Sequence, residues 1–127
     1  MKHLPVALAL VGLCQAATAS PLSCGRNGVD RFHIVVASNW RSGKVRRDDK
    51  LAMDERLSPL VCQRGVQGPL LTCLSPKVGD TQLIANFYRR EIGLGLRVEL
   101  SELKTRLGKT VGKDIANLAC TSSITRE

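Results

Sequence analysis

Aromatic side chains are scarce in this sequence. Of its 127 residues only Phe32, Trp40, Phe87 and Tyr88 are aromatic. The core must therefore be built from Leu, Val and Ile, and a binder that stacks single-stranded bases on a row of rings is disfavoured. Histidine is scarcer still, with His3 and His33 alone. No Cys-x-x-Cys occurs, and a single histidine beyond the N-terminus leaves too few ligands at any zinc-site spacing. After the first residues no apolar run approaches the roughly 20 residues that a membrane-spanning helix needs. There is no internal repeat, no low-complexity tract and no linker long enough to split a domain.

The N-terminus has its own pattern. Lys2 and His3 form a short positive segment, Leu4 to Leu13 is almost wholly apolar, and Ala17-Thr18-Ala19 offers small residues at cleavage positions. This predicts a secretory signal peptide over residues 1–19 and an exported, extracellular product. Cys14 would leave with the peptide. Leu13 before it is too bulky for a lipoprotein signal, so no lipid anchor is expected. About 108 residues follow from Ser20, enough for one modest domain over 20–127.

That domain holds Cys24, Cys62, Cys73 and Cys120. An even number in an exported chain reads as two disulfides. Three pairings are open, and the nested one, Cys24–Cys120 with Cys62–Cys73, is favoured because it ties the two ends together. In the chain-entropy model the large loop contributes about 4–5 kcal/mol and the small one about 3 kcal/mol.

The chain carries 19 Lys and Arg against 11 Asp and Glu. Such an excess suits nucleic acid, anionic lipid or an acidic protein face, although a solvated basic surface has the same composition. The cations concentrate late: Arg89, Arg90, Arg97, Lys104, Arg106, Lys109 and Lys113 stand against Glu91, Glu99 and Glu102. Arg89, Arg90, Arg97, Lys104 and Arg106 are the candidate binding residues.

Periodicity supplies a coarse structure. Phe32, Val36 and Trp40 fall at i, i+4 and i+8 behind Asp30, a good N-cap, which predicts a helix ending near Ser42-Gly43. The β-branched Ile34-Val35-Val36 argues for strand instead. Lys44–Glu55 reads as an exposed charged loop with one helical turn. Arg46-Arg47 also resembles a dibasic processing site, a dipeptide too common to weigh. Val61–Arg64 and Leu70–Leu74 read as strands around a Gly65–Pro69 turn, with Cys62 and Cys73 nearly opposite. "TQLIANFY" places Leu83, Ala85 and Phe87 on one face. "LGLRVEL" places Leu94, Leu96, Val98 and Leu100 on one face. Both are half-buried antiparallel strands, joined by Arg89–Gly93. Leu103 and Leu107 before Gly108 predict a short helix, and Ile115–Cys120 a last strand. The expected fold is α+β: one N-terminal helix on a small antiparallel sheet, its ends clasped by a disulfide.

"CGRNG" at Cys24, the predicted helix and sheet, and the near-terminal "ACT" at Cys120 together resemble the fungal guanyl-specific ribonucleases. They also resemble the ribonuclease-like secreted effectors of plant-pathogenic fungi built on that scaffold. "VGDTQLIANFY" followed by "EIGLGLRVEL" is similar to the family's late strand pair. The resemblance implies an N-terminal cysteine bonded to a C-terminal one. Its enzymes need histidines, a glutamate and a phosphate-steadying arginine, since in-line attack by a 2′-hydroxyl requires a base, an acid and positive charge. Here Val98-Glu99-Leu100 stands where the late histidine would fall, and Asp80-Thr81-Gln82 where an arginine would follow the aspartate. Glu99 beside Arg97 could in principle be a base, and His33 a lone one, but an exposed strand or helix face looks the same.

The resemblance therefore implies a scaffold kept and a catalytic set lost. The expectation is a secreted, non-catalytic effector, monomeric and without cofactor or metal, meeting a host protein or RNA with an acidic surface and able to enter host cells later. No stable membrane insertion is expected. An active secreted ribonuclease and a cationic toxin or antimicrobial protein are the rivals; the latter more often shows an amphipathic cationic helix.

Overall fold

Phe32, Ile34 and Val36 are buried, while His33 and Val35 between them are not. Burial with period two marks a strand with one face on a core, and it recurs along the chain. The computed structural model describes residues 21–26, 29–47, 53–65, 68–91 and 95–122. The expected signal peptide lies outside them. Eight strands are present: β1 Leu22–Cys24, β2 Phe32–Val36, β3 Ser42–Arg47, β4 Pro59–Arg64, β5 Leu71–Leu74, β6 Thr81–Arg89, β7 Leu96–Arg106 and β8 Lys109–Ser122. Each pairs antiparallel with the next and β8 pairs with β1, which closes an up-and-down barrel.

An eight-stranded barrel is just wide enough for side chains to fill it. Here Ile34, Val36, Val45, Leu60, Leu71, Phe87, Val98 and Leu100 do so, all essentially inaccessible to solvent. Outward positions carry Lys44, Arg46, Asn86, Arg97 and Glu99. An apolar interior inside a charged wall is the reverse of a lipid-facing barrel. Among the described residues no helix is long and apolar enough to cross a membrane.

The structure corrects the α+β expectation. Among the described residues there is no α-helix, only one 3-10 turn at Glu55–Leu57. The segment expected as an N-terminal helix is β2, a turn and β3. Asp30 caps a turn instead of a helix, its Oδ2 accepting from the Arg26 N–H at 2.7 Å. Lys44–Arg47, expected in a loop, is strand with Val45 buried. The helix expected at Leu103–Leu107 is strand and hairpin turn.

Cys24 and Cys120 are direct partners across β1 and β8, and Cys62 and Cys73 across β4 and β5. Disulfides join both pairs, 96 and 11 residues apart in sequence. The first sits on a seam of only three residue pairs, Leu22–Cys24 against Cys120–Ser122. Gly25 extends this seam by donating its N–H to the Ala119 carbonyl at 3.0 Å. Its φ is +94°, and a Cβ there would collide with the Phe32 carbonyl oxygen. Cys24 and Gly25 of "CGRNG" are thus architecture, delivering the clasping cysteine and extending the seam; Asn27 and Gly28 lie outside the described residues.

β7 and β8 outrun the rest. β6 pairs with β7 only as far as Lys104, and β1 covers β8 only at Cys120–Ser122. The β7–β8 ladder continues to Arg106↔Lys109, where Leu107 and Gly108, both at positive φ, make a two-residue turn. A register shift beside Leu100 and Ser101 leaves Ile115 as the extra residue on β8. Such a bulge increases local twist and re-aims the side chains beyond it.

Candidate functional site

Strand parity sorts the late cations onto surfaces. On β7, Val98 and Leu100 face the interior, so Glu102, Lys104 and Arg106 continue the same side past the barrel mouth. Their cross-strand partners are Lys113, Val111 and Lys109. These six residues line one shallow trough on the hairpin, with four cations against one acid. The opposite hairpin face is uncharged apart from Asp114. There Thr105 and Thr110 hydroxyls lie 2.9 Å apart, and the Ser101 hydroxyl donates to Asp114 Oδ1 at 2.7 Å.

The trough's cations are lightly restrained. Lys104 Nζ stands 3.8 Å from Glu102, and Arg106 Nε donates to Asp80 Oδ2 at 3.3 Å. Among the described residues Lys109 and Lys113 form no ion pair. Asp80 lies in the turn before β6. A hydrogen bond from the Thr81 hydroxyl, and after it one from Arg106, holds its carboxyl below the usual range. At the hairpin's base the trough meets a cleft of about 500 Å³ at the barrel mouth, where Arg31, Arg47 and Lys113 face Asp54, Glu102 and Asp114. The cleft is balanced in charge; the hairpin is not.

The candidate binding residues divide between two places. Lys104 and Arg106 join Lys109 and Lys113 in the trough. Arg97 lies on the outer wall of β7, roughly 24 Å away along the strand at about 3.4 Å per residue. Its Nη1 donates to Glu99 Oε2 at 2.7 Å, and its guanidinium lies 4.7 Å from the Tyr88 ring centre. Arg89 and Arg90 are exposed at that same far end, where β6 runs out and the chain turns toward β7.

The acid–base candidates are similarly dispersed. Glu99 is engaged by Arg97 on the outer wall. His33 is on β2, not on a helix, and its Nε2 shares a hydrogen bond of 3.1 Å with the Ser23 hydroxyl. Passing from β2 through β1 and β8 to β7 crosses three strand spacings, roughly 14 Å. One reacting bond between His33 and Glu99 would be out of hydrogen-bond reach of at least one of them. Among the described residues no group of three or more His, Cys, Asp and Glu side chains converges as a metal site would.

Leu107 and Val111 had no place among the candidates; Val111 is the trough's one apolar member, and Leu107 stands outside it at the hairpin apex. Leu107 is fully exposed at the hairpin apex, and Val111 is 65% exposed. The readable signal was "KTRLGKT": charge alternating with threonine on both sides of an Xaa-Gly pair, a hairpin pattern. No protein-family model, curated protein or solved structure matches this chain.

Proposed function

We propose that this is a secreted, non-catalytic interaction protein of the effector type, and that its working surface is the cationic face of the β7–β8 hairpin. One observation carries the reading: Lys104, Arg106, Lys109 and Lys113 share one side of a ribbon that the barrel does not need for its core. Paired disulfides support export, as they persist in oxidising compartments. The engaged state of Glu99 and its distance from His33 support a binding role over ribonuclease chemistry. Effector character and a host target come from the family resemblance.

An acidic protein face or RNA phosphates would meet this ribbon by charge, without sequence readout. With labelled single-stranded RNA as a polyanion probe, binding should fall linearly in log affinity against log salt. Four neutralised phosphates give a slope of about −3. Lys104→Glu with Arg106→Glu should flatten the slope and weaken binding, with no ribonuclease turnover in either protein. Salt-insensitive binding, or equal binding by the reversed variant, would contradict the reading.

A further inference from the structure

The hairpin apex is built against its own conformational preference. Leu107 and Gly108 have φ of 52° and 79°, the two positive values of a type I′ turn, which favours Asn-Gly or Asp-Gly. A leucine in the left-handed region suffers a Cβ clash. This one recovers nothing by burial, because it is 104% exposed. Strain without a folding return points to function. The residues around it form a graded collar. Arg106 and Lys109 pair directly behind the turn. Lys104 and the exposed Val111 follow about 10 Å back, at roughly 3.4 Å per residue.

We infer that this tip docks on anionic phospholipid bilayers, with Leu107 lowered into the acyl boundary and Arg106, Lys109 and Lys104 on the lipid phosphates. The inference rests on the cationic face being the working surface, and it names the partner. An apolar apex beneath a cationic collar matches the layering of the interface, where amphipathic elements reach about 5–10 Å deep and lysine and arginine stems snorkel to the headgroups. One leucine is a weak anchor and a few cations are another; reversible docking needs both. A nucleic acid would use the collar and leave the exposed leucine without a role. The contact is peripheral, since only the turn enters the bilayer.

Co-sedimentation with vesicles tests this. Vesicles of phosphatidylcholine alone should leave the protein in solution, and those containing phosphatidylserine should pellet it. Leu107→Asn keeps the turn and every charge, and should weaken vesicle binding about tenfold while leaving RNA binding unchanged. Lys104→Glu with Arg106→Glu should abolish vesicle binding. Absence of binding to phosphatidylserine vesicles, or full binding by Leu107→Asn, would overturn the bilayer inference. RNA binding lost on charge reversal would in that case still uphold the cationic face. Charge reversal without effect on either probe would overturn both.

Discussion

β8 pairs with β1 over three residues and with β7 over eleven. The short seam carries the Cys24–Cys120 disulfide, while the long ladder carries none. The difference is one of chain entropy. Closing the barrel brings together residues 96 apart, and three residue pairs return little against the loop they close. The hairpin closes over two residues, so its pairing is local and costs little closure entropy. The seam therefore needs a covalent bond and buried partners. The outer half of the hairpin needs neither, and it holds exposed cations and an exposed leucine.

The largest expected effect strikes the seam. Cys24→Ser with Cys120→Ser should cost about 4–5 kcal/mol in urea unfolding, and Cys62→Ser with Cys73→Ser about 3 kcal/mol. Equal losses would mean that the closing loop is not what the outer bond restrains.

Gly25→Ala comes next. The added Cβ meets the Phe32 carbonyl at a φ of +94°. Denaturation should show a loss of about 1–3 kcal/mol, with amide exchange quickening at Ala119 and Cys120 before the hairpin. Uniform quickening along β8 would show that seam and hairpin open as one unit.

On the hairpin the sign should reverse. Leu107→Asn removes a strained apolar residue and should raise stability by up to about 1 kcal/mol in thermal unfolding. A loss would mean that Leu107 supports the fold.

The smallest effect concerns pH. The Asp80 carboxyl is held low by Thr81 and then by Arg106. A depressed carboxylate stabilises the native state above its unfolded value, and the contribution fades as pH falls through the folded one. NMR titration should place Asp80 below the ordinary carboxylate midpoint. Arg106→Ala should return it only part of the way, because Thr81 remains. This loosens the hairpin's tether and leaves the seam untouched.

The same contrast explains what could be read from the sequence. Where a strand faces the core, alternation is audible: Leu83, Ala85 and Phe87, then Val98 and Leu100, are buried as expected and Leu96 packs partly buried against the core, while Leu94 of the expected set lies outside the described residues. Cys62 and Cys73 were legible as opposite partners for the same reason. The false helix came from an ambiguity of number. Phe32, Val36 and Trp40 are spaced by four, which satisfies a period of two as well as 3.6. Ile34, buried between the first two, breaks the tie for strand. Leu103 and Leu107 carry the same ambiguity. Past the barrel mouth each face of β7 and β8 carries a single apolar residue, Val111 on one and Leu103 on the other, so hydrophobic periodicity falls silent and the strands look shorter than they are. That is why Arg97 and Lys104 seemed to be neighbours of one patch. Only their parity and the full length of β7 put them on different faces.

The central claim is that the barrel keeps the fold while the hairpin meets the partner. It is tested most directly by measuring unfolding and polyanion binding on one variant, Lys104→Glu with Arg106→Glu and Lys109→Glu. The account predicts an unfolding midpoint within a few degrees of the parent protein, since exposed substitutions cost within about 0.5 kcal/mol each, together with loss of RNA retention at low salt. Retained binding, or a collapse of stability with the charges reversed, would contradict it.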